Sequence, residues 1–257
     1  MRKIVSLVLL ALLIHAVPAR ADITNFSQDV NTAIDRGIEY LAGLGVYNNP
    51  SAAGDAAGLG ALALLEKRVS ADQDADAQGY ANANPVDQAR LDSVFAYIIG
   101  NSAAGFYAYR NGQEMMALAL YIRTGGPHPG ARAALDQAFD EASNVVPADV
   151  NLWNGYWCYT DVSCPDSSTS QFVMAGLAGA RAVYADAGIG DPARLARLNA
   201  LSVRGGAGYA ANGTSNGFSP TERGHGYNVG HPNSMQQTAS GVWIQLVGNA
   251  DLNDTGV

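Results

Sequence analysis

The sequence predicts an all-α domain assembled from helical hairpin repeats, and three observations carry that prediction. Four segments align without gaps: Asp55-Ala-Ala-Gly-Leu-Gly-Ala-Leu62, Gln113-Glu-Met-Met-Ala-Leu-Ala-Leu120, Gln171-Phe-Val-Met-Ala-Gly-Leu-Ala178 and Gln236-Gln-Thr-Ala-Ser-Gly-Val-Trp243, starting 58, 58 and 65 residues apart. Recurrence over tens of residues marks a repeat architecture. Each segment is apolar on most sides and rich in Ala and Gly, the pattern of a helix buried all round. A more polar, amphipathic segment and a Gly-x-x-x-Tyr stretch precede each one.

In chain order, Met1, Arg2 and Lys3 form a positive start, Ile4 to Val17 is largely apolar, and Ala19-Arg20-Ala21 offers the small residues a signal peptidase reads. This predicts a signal peptide over 1–21, cleaved before Asp22. The apolar run is shorter than the roughly 20 residues needed to span a bilayer. Residues 22–257 then form one repeat domain, secreted or periplasmic, with no membrane span. The first outer helix runs over Asp29 to Leu44, with Val30, Ala33, Ile34, Ile38 and Leu41 near helical spacing. Val86 to Ile99, Ala131 to Val146 and Pro192 to Val203 repeat the pattern, the last opened by an Asp191 N-cap and an N1 proline. The stretches Gly43 to Tyr47, Gly105 to Tyr109, Gly155 to Tyr159 and Gly205 to Tyr209 are read as the corners between outer and inner helices. Gly58, Gly60, Gly176 and Gly241 sit inside inner helices, where Gly is disfavoured by about 1 kcal/mol against Ala, so each calls for a packing reason. Asp251 to Val257 reads as the start of a fifth outer helix, and Tyr209 to Gln236 as a long loop without periodicity, a length that in a compact domain points to function.

Without its leader the chain keeps 12 basic residues against 23 acidic ones, a net charge near −11. That acidity excludes nucleic acid and anionic membranes as partners. Cys158 and Cys164 stand six positions apart in one loop. In an oxidising compartment they are expected to form a disulfide, metal ligation being the competing use.

Gly155-Tyr-Trp-Cys-Tyr159 followed by Asp166-Ser-Ser-Thr-Ser-Gln-Phe-Val-Met-Ala-Gly-Leu177 resembles the prenyltransferase and squalene-oxidase repeat family. The resemblance implies an α/α toroid, with inner helices ringed by outer ones. Four hairpins make an incomplete ring, which a partner or a further segment would complete. The family's catalytic groups do not carry over. Its zinc-binding members place Asp and Cys before one inner helix and His before the next, and those positions fall here on Ser167, Thr169 and Ser234. Its cyclases use an Asp-rich run whose proton donor aligns with Ser167. The stretch Gln237 to Trp243 matches a family turn motif but lies inside a predicted inner helix. The resemblance therefore implies a non-catalytic binding or scaffold protein without a cofactor. The alternative is an enzyme that reuses the fold: a cyclase or transferase relative, or a secreted carbohydrate-active enzyme with loop carboxylates.

The candidate pocket is drawn from the loops. Trp153, Trp157 and Phe218 are aromatic and do not recur with the repeat, so they are read as lining a site for a small molecule or glycan, with Tyr159 beside them. Asp161, Asp166, Glu222, His225 and His231 are the polar groups of the same two loops and would meet if both loops open on one side. A convergence with the cysteines could hold a metal, although solvated loop histidines are the simpler expectation. Asp72, Asp74 and Asp76 alternate as oxygen ligands of calcium do. Ala77 and Ala83 stand where the calcium-loop pattern needs Gly and Glu, which favours a solvated acidic linker.

Overall fold

The computed structural model describes residues 23–145, 155–215 and 223–251, and over these the chain is all-α apart from one small strand pair. The helices are α1 (Asn25–Gly43), α2 (Ala57–Leu65), α3 (Pro85–Gly100), α4 (Ala108–Arg123), α5 (Ala131–Asn144), α6 (Ser167–Tyr184), α7 (Pro192–Asn212) and α8 (Met235–Val247). All four aligned segments are helical, and all four amphipathic segments are the helices before them. The leader, the last residues of the expected fifth helix, and Trp153, Phe218 and Glu222 lie outside the described residues.

Local chemistry starts each helix. Thr24 and Ser27 form a reciprocal capping box at α1. Asn84, Asp191 and Ser234 cap α3, α7 and α8, with proline at the first turn of α3 and α7. Asp166 caps α6 by accepting the Thr169 N–H. Helix α4 has no side-chain cap on its first turn. Its Ala108 N–H instead donates to the Tyr159 carbonyl at 2.8 Å, which ties the second repeat to the third.

The even-numbered helices pack in succession, α2 on α4, α4 on α6 and α6 on α8, and each odd-numbered helix packs on an even-numbered neighbour. Gly112 of α4 and Gly176 of α6 face each other. A Cβ on Gly112 would collide with the Phe172 backbone, and one on Gly176 would stand 2.7 Å from the Gly112 carbonyl oxygen. Gly58, Gly60 and Gly241 are crowded in the same way, so the glycines expected to have a packing reason have one. Between the rows lie Leu91, Phe95, Ile98, Leu118, Tyr121, Leu135, Phe139, Val183 and Tyr184, all buried. Phe95 and Tyr121 stack with centroids 3.9 Å apart. Arg90 forks onto Glu39 with two 2.9 Å bonds, and Arg194 reaches Asp136, Asp140 and Asp191. The Arg90–Glu39, Arg194–Asp136 and Arg194–Asp140 pairs, partly open to solvent, link neighbouring outer helices and contribute modestly to stability.

Two expectations are corrected. Gly205 to Tyr209 is not a corner: α7 continues through it to Asn212. The glycines there serve contact, since a Cβ on Gly206 would stand 3.1 Å from Gly248 Cα, so the stretch packs against the end of α8 instead of turning. The loop after it is partly ordered by β1 (Thr214–Ser215) pairing antiparallel with β2 (Arg223–Gly224). At one edge of the described array, α1 buries only Ser27 and Ile38 and leaves Phe26 72 % exposed. No described helix is long and apolar enough to cross a membrane.

Candidate functional site

The loop expected to be stapled is stapled: Cys158 and Cys164 form a disulfide with Cα atoms 5.0 Å apart. Inside it the Cys158 N–H donates to the Asp161 carbonyl at 2.8 Å. The first turn of α6 holds the same loop from the other side. Thr169 Oγ1 donates to the Trp157 carbonyl at 2.6 Å, and the Trp157 N–H donates to Ser170 Oγ at 2.9 Å. Ser167 Oγ donates to the Gly226 carbonyl at 3.0 Å, and its N–H to the Tyr227 carbonyl at 2.9 Å. The two loops singled out in the sequence therefore do meet, over the start of α6.

Their side chains do not meet as a pocket of carboxylates and imidazoles. Trp157 is buried in the core, with Nε1 donating to the Ala142 carbonyl at 2.9 Å. His225 is also a core residue. Its ring lies against Gly241, stands 5.6 Å from the Tyr209 ring and has Gln245 Nε2 at 3.3 Å, and burial lowers its pKa below 6.5. His231 is exposed. Asp166 is buried and committed to its cap, with the Tyr227 hydroxyl as a further partner. Asp161 is exposed and accepts from both the N–H and the hydroxyl of Ser163, which hold its carboxyl below the usual range. Among the described residues no group of three or more His, Cys, Asp or Glu side chains is placed to hold a metal ion. Asp72 accepts the Asp74 N–H at 2.9 Å in a surface turn.

What the loops bring together is aromatic. Tyr107, Tyr109 and Tyr159 stand 5.8 to 6.5 Å apart, centroid to centroid, and Tyr109 meets Phe172 edge-on at 5.1 Å. Tyr159 is 43 % exposed. The Tyr109 hydroxyl bonds to that of Ser168, and the Tyr227 hydroxyl bonds to Asp166 and Tyr159.

Side chains of the inner helices α2, α4, α6 and α8 line an apolar trough. One depression of about 430 Å³ is lined by Leu59, Met116, Gln171, Phe172, Ala175 and Trp243. A second, of about 300 Å³, shares Met116, Ala175 and Trp243 with it. It continues over Ala119, Ala178, Gly179 and Ala182 to Glu66 and Arg123. Small residues make the floor, while Leu59 and Leu62 on one flank and Trp243 on the other make the walls. The loop aromatics do not mark this surface, but the repeat register holds its signal. The eighth residues of the four aligned segments, Leu62, Leu120, Ala178 and Trp243, all line the second depression. A recurring helical position that faces neither neighbour nor outer layer must face the inside of the row.

One buried charge lies elsewhere. Glu114 is buried, and desolvation raises its carboxyl pKa to about 8, with Arg110 opposing the shift and Glu141 and Asp55 adding to it. No family model, no curated protein and no solved structure matches this chain, so the reading of the site rests on its own geometry.

Proposed function

We propose that the chain is an exported, non-catalytic binding protein, an incomplete α/α toroid whose ligand is an apolar small molecule lying along the trough of the inner helices. The observation that carries this reading is the continuity of the two depressions across Met116, Ala175 and Trp243. An open apolar strip with a small-residue floor suits a slender aliphatic or planar guest, whose burial stabilises by about 25 cal/mol per Å². The hydroxyls at the positions where the resembled family keeps its reactive groups support a binding role. Ser167 donates to Gly226, Thr169 to Trp157, and Ser234 caps α8 by accepting the Gln237 N–H at 3.2 Å. Each holds the fold. The disulfide and the N-terminal leader support export.

The test is titration with a neutral apolar fluorophore such as N-phenyl-1-naphthylamine. Saturable binding that quenches Trp243 is expected, with at least a tenfold loss in Ala178→Phe, which raises the floor. Equal binding by wild type, Ala178→Phe and Trp243→Ala would overturn the proposal.

A further inference from the structure

We infer that the mature chain pairs with a second copy of itself through α1, the two helices running antiparallel about a twofold axis, at a surface separate from the trough and independent of what the trough binds. Helix α1 carries two apolar faces. One, with Ile38, is buried within its own chain. The other is the series Ile23, Phe26, Val30, Ala33, Gly37 and Tyr40, all exposed. Its steps alternate between three and four residues. That is the spacing of the seam between two packed helices, and an exposed apolar strip of this kind marks an interaction surface.

The series reads the same from either end, so an antiparallel copy sets every seam residue against another. Ile23 meets Tyr40 of the second copy, Phe26 meets Gly37, and Val30 meets Ala33. Large side chains thereby face small ones. A parallel pairing would set Phe26 on Phe26 and Gly37 on Gly37, crowding one layer and leaving a void in the other. The hole for Phe26 exists already. A Cβ on Gly37 would meet nothing within 4 Å, and Gly37 lines a depression of about 520 Å³ with Ile34, Ile38 and Leu41. Glycine is disfavoured within a helix. The inner-helix glycines have their reason inside the chain, and the pairing supplies one for Gly37.

The charges beside the seam fit a second copy of this chain. Helix α1 has four charged residues, Asp29, Asp35, Arg36 and Glu39. Asp35 is engaged by Lys67 and Glu39 by Arg90 of the same chain. Asp29 and Arg36 are exposed and stand seven residues apart, which puts them on the same edge of the seam two turns from each other. In the antiparallel register that joins Phe26 to Gly37, Asp29 of each copy comes opposite Arg36 of the other. The contact is isologous: one patch supplies both halves, and the two ion pairs are related by the axis. Complementary charges at the rim of an apolar contact fix its register and exclude other alignments.

The experiment is sedimentation equilibrium of the mature chain, from Asp22 onward, at low ionic strength over a wide range of concentration. Reversible dimerisation in the micromolar range is expected, the strength of an interface at the small end of stable ones. Gly37→Leu fills the hole while favouring the helix, and should weaken association at least about tenfold. Asp29→Arg and Arg36→Asp should each do so by setting like charges together. Mixed in equal amounts, those two charge variants bring opposite charges together again at both pairs and should recover wild-type association. Circular dichroism checks that each variant folds. The apolar fluorophore should bind all three as it binds wild type, because α1 does not line the trough. A wild-type chain that stays monomeric at every concentration overturns the inference, as does a dimer indifferent to Asp29→Arg or a mixture that stays apart. The wild-type series and the mixture decide the matter even if Gly37→Leu does not fold.

Discussion

Replacing Glu114 by glutamine should change how the stability of this protein depends on pH. Glu114 is 4 % exposed, within α4. Desolvation is the largest cause of its raised pKa, which moves from 4.5 to about 8. The folded state therefore holds a proton that the unfolded chain releases above about pH 4.5. The stability tied to that proton is fully present below the unfolded pKa, declines through the interval, and is gone above the folded pKa near 8. At about 1.4 kcal/mol for each pKa unit, the full effect is about 5 kcal/mol, and about 3 by neutral pH. Against a total stability of roughly 5–15 kcal/mol this is a large share. Glutamine keeps the shape and cannot ionise. Urea unfolding of both proteins, followed by far-ultraviolet circular dichroism at acidic, neutral and alkaline pH, measures the difference. The variant should match wild type near about pH 5 and exceed it by several kcal/mol near about pH 9. Parallel stability curves for the two proteins would falsify the reasoning, because every other titrating group is common to both.

Two further perturbations test the packing. Gly112→Ala drives a methyl into the Phe172 backbone, which cannot swing aside, so a net loss of about 2 kcal/mol in urea unfolding is expected although alanine is the better helix former. Burial lowers the His225 pKa below 6.5, so its contribution is present above the unfolded pKa and is lost as pH falls through the folded one. His225→Gln should lack that acid-side loss of stability when its melting temperature is compared with wild type at weakly acidic and neutral pH.

The repeats, the stapled loop and, among the described residues, the helices apart from the end of α7 were legible in the sequence because they depend on nearest neighbours. Hydrophobic period, N-cap residues such as Asn84 and Asp191, and two cysteines close together act over a few positions, and a long-range fold has little freedom to override them. Gly205 to Tyr209 shows where that reasoning stops. A glycine that permits a turn and one that lets two helices touch look alike in sequence, and only the presence of Gly248 across the gap decides between them.

The site divides along the same line. The amino-acid order by itself determined that four small-residue segments recur as helices, that loops precede the third and fourth of them, and that position eight of each unit recurs on one side of its helix. Only the tertiary structure decided what those residues face. It turned Trp157 and His225 inward, because a large ring in a loop is stabilised wherever a core can take it, and left Trp243 and Tyr159 open, because none of the described elements packs over them. Burial is a property of what arrives from elsewhere in the chain, and a residue's neighbours in sequence do not specify it.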